Sequence, residues 1–202
     1  MELFAESGFH GATVRGIGAS AGVSPALVLH HFGSKEGLRT ACDERVLDLA
    51  RARWSELAAE SDPAGAAHER ALPNLGALLD EEVHAMRYLA RAVTESGPAT
   101  DTLVDELMRL TLQGQQQLIR AGVLSETSDP AVRGMLLLLW DLAPLVLADH
   151  VRRNTGIDPF TRHGLARLMR VGMETYTRPL FMGTPDAPQP PTPVRPADRG
   201  SP

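Results

Sequence analysis

Between Thr100 and Ala121 the apolar positions Leu103, Leu107, Leu110, Gly114 and Leu118 recur every three or four residues. That spacing predicts one helix with a single buried stripe, ended by Gly122. Leu38, Ala41, Arg45, Leu49 and Ala52 fall at the same spacing on an earlier segment, which predicts a long helix from Ser34 to about Glu60. The Ser34 hydroxyl can cap it, and Glu36 lies in its first turn, where the helix dipole favours negative charge. Gly37 stands where a capping box would place Glu or Gln. Ala64 to Leu79 forms another segment, kinked or split by Pro73. Asp80 to Ser96 forms a further one, stopped by Gly97 and Pro98. Asp129 caps, and Pro130 opens, a helix that should run to about Asn154 and stop near Gly156, with Pro144 loosening its hydrogen bonding. Asp158 and Pro159 repeat the start signal for a last helix reaching about Phe181. The count is about nine helices, with no internal repeat.

Three zones separate by pattern: residues 1 to about 45, short helical pieces punctuated by Gly; 46–182, longer amphipathic helices; and a tail, 183–202. The tail carries Pro at 185, 188, 190, 191, 193, 196 and 202, so it is expected to be disordered. Composition agrees with helices: 43% of the 202 residues are hydrophobic but only 4% aromatic, and Leu, Ala and Arg dominate. The expectation is an all-α fold, a three-helix head followed by a helical bundle.

Met1 to Glu6 is acidic and lacks the cationic and apolar stretches of a signal peptide, so a cytoplasmic location is expected. The longest apolar run, Met135 to Ala148, is interrupted by Asp141 and Pro144 and falls short of the roughly 20 residues that span a bilayer. A buried helix and no membrane partner are expected. Cys42 is the single cysteine, so no internal disulfide forms and an inert structural thiol is expected. The net charge of −5 excludes a basic coat, yet nucleic-acid binding needs only a local positive face. No paired carboxylates, Ser/His arrangement or Gly-rich phosphate loop stands out, so neither an enzyme nor a cofactor is expected.

The chemistry concentrates in Thr13 to Phe32. Thr13 can cap a short helix whose inward positions would be Val14, Ile17 and Ala21. Gly22 follows, where a left-handed turn favours a residue without a β-carbon. Val23 should plug the angle, Ser24 cap a second helix and Pro25 occupy its first position, where a missing N–H costs nothing. Two short helices around a tight Gly turn are a helix-turn-helix. The second would enter a major groove, Pro25 and Ala26 letting its backbone approach the base edges and Leu29, His30 and His31 projecting nearby. Phe32 and Val28 should face the core. Lys35 and the N–H groups of the Ser34-capped helix make a phosphate clamp. Adjacent histidines point about 100° apart on a helix and no third ligand is evident, so His30 and His31 are not expected to hold metal.

Leu3-Phe4-Ala5-Glu6-Ser7-Gly8-Phe9, Thr13-Val14-Arg15, Ala21-Gly22-Val23-Ser24 and His31-Phe32-Gly33-Ser34-Lys35-Glu36-Gly37-Leu38 resemble the TetR family of regulators. The resemblance covers the head without a gap; beyond it only the number and order of helices agree. It implies a homodimer whose last two long helices pair into a four-helix bundle. It also implies that a small-molecule effector in the core pushes the linking helix, spreads the two heads and releases operator DNA. Thr13, Arg15, His31 and Lys35 would contact the DNA backbone. Pro25, Ala26, Leu29 and His30 would face the groove, with Ser24 at the start of that helix. Three departures stand out. Leu29 replaces a Tyr that commonly holds a phosphate. Gly16 and Gly18 sit inside a helix at up to about 1 kcal/mol each relative to Ala. The family's first helix usually begins about ten residues earlier with a basic lead-in, so either a misassigned start or a truncated, frayed first helix is expected.

Under the same resemblance, Met86, Leu107, Met108, Met135 and Trp140 could wall a ligand cavity, though ordinary core packing explains the same residues. His84, Arg87 and Asp141 would be polar discriminators, Asp141 equally fitting a salt bridge or a water-exposed place at the interface. Leu136, Leu139, Ala143, Leu147 and Val151 form a side too apolar for one chain to cover, which points to a second copy. Leu165, Leu168, Gly172 and Tyr176 would complete that seam, against packing within one chain. The competing function is a helical ligand- or partner-binding protein of the same fold that has lost DNA binding.

Overall fold

A computed structural model describes residues 1–59 and 80–177. Among these, all regular structure is helical: α1 (Glu2–Gly11), α2 (Val14–Ser20), α3 (Pro25–Phe32), α4 (Lys35–Ala59), α5 (Asp80–Ala92), α6 (Pro98–Arg120), α7 (Pro130–Val146), α8 (Ala148–Thr155) and α9 (Arg162–Thr177). The segment from Ala64 to Leu79 with Pro73, the last residues to Phe181, and the Pro-rich tail lie outside the described residues.

Helix starts follow local chemistry. The Thr13 hydroxyl accepts from the Gly16 N–H at 3.0 Å, Ser24 from Leu27 at 3.1 Å, Ser34 from Gly37 at 3.0 Å, and the Asp129 carboxylate from Val132 at 3.0 Å. Each bond satisfies one of the orphan donors of a first turn.

The elements close around one core that runs from head to body. It includes Phe4, Val28, Leu38, Cys42, Val46, Leu47, Tyr88, Leu103, Leu107 and Leu138. α1 packs on α5, while α4 packs on both α5 and α6, and α7 covers α5 and α6. α4 crosses the expected boundary at residue 45 without a break, so one rigid rod joins the two parts. The stripe on α6 is as its spacing predicts, Leu103, Leu107, Leu110 and Gly114 being buried and Leu118 half-buried. Each buried Leu contributes about 1.5–3 kcal/mol of transfer free energy.

Four expectations are corrected. On α4 the buried stripe is Leu38, Cys42 and Val46 with Leu47, whereas Ala41, Arg45 and Ala52 are not part of it. That helix has neighbours on several sides, so it carries no single apolar period. The helix opened by Pro130 does not continue to Asn154: it breaks at Leu147, and α8 leaves at 73°. Pro144 offers no N–H to the carbonyl of Trp140 and crowds it. Asp158 does not cap the last helix; it accepts from Phe160 N–H in a turn, and Thr161 caps α9 through Gly164 N–H at 3.1 Å. In the head, Ala21 and Phe32 are exposed, the latter by 41%, because Gly18 and Val28 take the inward places.

No single described helix is long and apolar enough to cross a membrane; α7 and α8 reach that length only across their bend.

Candidate nucleic-acid interface

The turn between α2 and α3 is fixed by backbone bonds. Val23 N–H donates to the Gly18 carbonyl at 2.9 Å and Gly22 N–H to that of Ala19 at 3.3 Å, with Gly22 at φ +68. This is a Schellman closure, and the positive φ is the position where a β-carbon is penalised. Gly18 also has a packing reason. A β-carbon there would stand 2.9 Å from the Val23 carbonyl oxygen and 3.2 Å from Pro25 N, so α2 and α3 cross closely only because it is absent.

α3 is anchored by Val28, 6% exposed. Ala26, Leu29 and His30, spaced i, i+3, i+4, are exposed together on one face. Thr13, Arg15, Ser24, Pro25 and His31 are exposed as well. The His30 and His31 rings meet edge-on at 5.6 Å, and the His31 ring lies 6.4 Å from that of Phe32. Lys35, at the first position of α4, has its Nζ 4.5 Å above the Phe9 ring. Beside it, hydrogen bonds from its own backbone N–H and from the Ser34 hydroxyl hold the Glu36 carboxyl below the ordinary range. Among the described residues no group of three or more His, Cys, Asp or Glu could hold a metal ion.

The residues expected to wall a ligand cavity differ in burial. Leu107 is in the core, Met86 and Met108 are half-buried, and Met135 and Trp140 are 38% and 45% exposed. The Arg87 guanidinium sits 4.3 Å over the Phe160 ring, tying α5 to the loop before α9. His84 belongs to the junction of head and body. Its Nε2 is 3.3 Å from Glu2, and it lines a 420 Å³ cavity with Leu3, Phe4, Ile17, Leu38 and Arg45. Asp141 keeps open surface, but dense protein around its carboxyl pushes its pKa up, with Arg53 opposing. The Cys42 thiol is buried and likewise pushed up.

Along α7, Leu136 and Leu139 are 60% and 52% exposed, and Leu147, at the break before α8, is 51% exposed. Val132, 54% exposed, extends the strip one turn earlier and is absent from the sequence expectation. Val151 and Leu168 are half-buried, and Leu165 is buried within the chain. Gly172 is buried under Trp140, whose Nε1 would be 3.0 Å from a β-carbon there. Tyr176 lies in the last turn of α9.

Sequence reasoning also missed a buried polar cluster between head and body. Arg39 donates from Nη2 to the Thr100 hydroxyl at 3.0 Å, with Nη1 3.7 Å from Glu95 and Nε 3.9 Å from Asp43. The Tyr88 hydroxyl donates to Asp43 at 2.6 Å. Burial pushes both the Asp43 carboxyl and the Tyr88 phenol up. The signal available was an Arg four residues before an Asp on a buried helix.

Residues 1–42 match the family model described as bacterial regulatory proteins, tetR family, and residues 80–182 match the tetracyclin repressor-like C-terminal domain. The chain is 30% identical over 184 residues to the HTH-type transcriptional regulatory protein RaaS of Mycobacterium tuberculosis, covering 90% of this chain and 82% of that protein. It is 42% identical over 55 residues to the HTH-type transcriptional regulator UidR of Escherichia coli (strain K12), 27% of this chain and 28% of that one. The solved structure of the TetR family transcriptional regulator PfmR from Thermus thermophilus superposes with a TM-score of 0.61 at 21% identity, covering 90% of this chain and 93% of that one.

Proposed function

We propose, from the premise that the chain belongs to the TetR family of bacterial regulatory proteins and carries its helix-turn-helix DNA-binding domain, that it works as a cytoplasmic homodimeric repressor released from its operator by a small hydrophobic ligand. In this reading residues 1–45 read DNA and 46–182 bind ligand and dimerise. The observation that carries it is the α2–α3 pair, capped by Thr13 and Ser24 and closed at Gly22, with one exposed face of Pro25, Ala26, Leu29 and His30. Such a helix can lie in a major groove while Thr13, Arg15, His31 and Lys35 hold phosphates.

Release follows if a ligand moves the body under α4, since α4 runs unbroken from the Lys35 clamp into the core. The exposed strip on α7 supports dimerisation, because water-facing Val132, Leu136 and Leu139 gain burial against a second copy. For the ligand, Met86, Leu107, Met108, Met135, Trp140, His84 and Arg87 stay as candidates from the family resemblance, and core packing accounts for Leu107 as it stands.

The test is a mobility shift of the full chain on duplexes selected from a random pool, repeated across salt and in the presence of hydrophobic metabolites. Counterion release makes affinity fall steeply with salt when phosphates are held. A ligand that raises the melting temperature should lower the shifted fraction. No selected duplex at low salt would favour the second reading, a binding protein of the same fold without DNA; Leu29 in the Tyr position and the net charge of −5 are the observations on its side.

A further inference from the structure

Just beyond α5, the Glu95 side chain reaches out of the body and into α1. Its Oε1 accepts the Phe9 N–H at 2.8 Å, and its carboxylate is flanked by Arg39 Nη1 and Arg91 Nε, each at 3.7 Å. The side chain is 17% exposed. In an unbroken helix the Phe9 N–H would go to the Ala5 carbonyl. Here α1 is interrupted at Gly8, with φ +69 and ψ 174, which turns that N–H toward Glu95. Gly8 is favoured there because its positive φ disfavours a side chain, and a β-carbon would also push against the tips of Glu95 and Arg91. The Phe9 ring in turn lies beneath Lys35 Nζ at 4.5 Å and 5.1 Å from the Arg39 guanidinium. A body carboxylate, a head amide and the phosphate-clamp lysine are therefore in one contact chain.

We propose that Glu95 is a positioning residue for DNA binding: through the Phe9 N–H it holds the reading head at the setting that fits the duplex. The proposal rests on the DNA-binding reading of the head. It names the contact through which movement of the body would reach α1 and Lys35, separately from α4.

The test uses the full chain and three readouts: hydrogen exchange of the Phe9 amide, thermal melting, and affinity for a duplex that the unaltered protein selects from a random pool. In the unaltered protein the Phe9 amide should be slow to exchange. Glu95→Ala should lose that protection and bind the duplex about tenfold more weakly, as expected for loss of a charge-assisted bond. The salt slope should stay unchanged, because no phosphate contact is removed. Glu95→Gln, whose amide oxygen still accepts, should keep the protection and most of the affinity. If Glu95→Ala does not fold, Glu95→Asp replaces it, keeping the charge for both arginines but standing one methylene short of the Phe9 amide. A fast Phe9 amide in the unaltered protein, unchanged affinity in the Ala or Asp variant, or equal losses in the Gln and Ala variants would each overturn the proposal. If the unaltered protein selects no duplex, the DNA reading falls and the proposal with it; a selected duplex bound unchanged by the variants overturns the proposal alone.

Discussion

The indole of Trp54 fills the space beside Gly114 in which a β-carbon would stand, so α4 rests on α6 at a point that has no side chain to give way. Gly114→Ala should therefore destabilise the protein. The substitution gains up to about 1 kcal/mol of helix propensity, whereas forcing a rigid ring out of a packed site costs typically about 1–3 kcal/mol. The clash should win, because the atoms met are Cδ2 and Cε3 of the ring rather than a flexible tip. Denaturant unfolding would read the loss; equal or higher stability would mean that Trp54 steps aside freely.

Gly18→Ala poses the same contest inside the head. In an isolated helix Ala is favoured, but here its β-carbon meets the backbone of Val23 and Pro25, which cannot rotate away. The variant should open the α2–α3 angle and weaken DNA binding at least severalfold, a change of about 1 kcal/mol or more. Affinity for a selected duplex, beside the melting temperature, is the measurement; unchanged affinity would refute the close-crossing account.

The legible parts of this fold are those decided within one helical turn. Thr13, Ser24, Ser34 and Asp129 each need only an N–H three residues on, and their bonds are present as their types predict. The α6 stripe was readable because that helix buries one face. α4 was not, since it is covered from several sides and its buried stripe includes Cys42 beside the charged Arg39. Phe32 was misplaced because α3 is only 8 residues long and Val28 already anchors it. The links Tyr88–Asp43 and Phe9–Glu95 span 45 and 86 positions and leave no local trace. The head, whose chemistry is local, was thus far easier to read than the ligand side, where walls from distant helices must be brought together.

The Asp43 carboxyl gives a pH prediction. Burial raises its pKa above the ordinary 3.8, against the opposing Tyr88 hydrogen bond and Arg39 charge. The folded state then binds this proton more tightly than the unfolded state, so unfolding stability falls as pH rises between the two values. The contribution is fully present below the ordinary pKa and lost as pH passes through the raised one. Asp43→Asn, which keeps an acceptor for Tyr88, should lose that downward slope. Urea unfolding of both proteins from about pH 4 to about pH 7 should show the Asn variant gaining on the parent as pH rises; a constant difference would refute the shift.

The strip of Val132, Leu136, Leu139 and Ala143 on α7 predicts an oligomeric state. Leu136→Glu with Leu139→Glu places two carboxylates on a face already 60% and 52% exposed at those positions in the single chain, so the fold should survive. A dimer joined through this strip would have to bury both charges, at a cost of several kcal/mol each. Light scattering should report a dimer for the parent and a monomer for the double variant; a variant still dimeric would place the interface elsewhere.

Lys35 and His30 should separate phosphate holding from base reading. Lys35 Nζ stands over the Phe9 ring at the start of α4, and Phe9 is itself fixed by Glu95, so the ammonium is held in place rather than free on its stem. Lys35→Ala should weaken every duplex alike and reduce the slope of log affinity against log salt by about 1, because one phosphate contact is lost. His30 is exposed on the open face of α3, four residues after Ala26. Replacing it with Ala should leave the slope near its parent value and lower the preference for selected over unselected duplex, each lost base contact being worth about 1–3 kcal/mol. Anisotropy titrations at several salt concentrations, on both kinds of duplex, measure the two effects together. If the Lys35 variant changes preference and the His30 variant changes slope, α3 is not the reading helix and the docking geometry argued for the head is wrong.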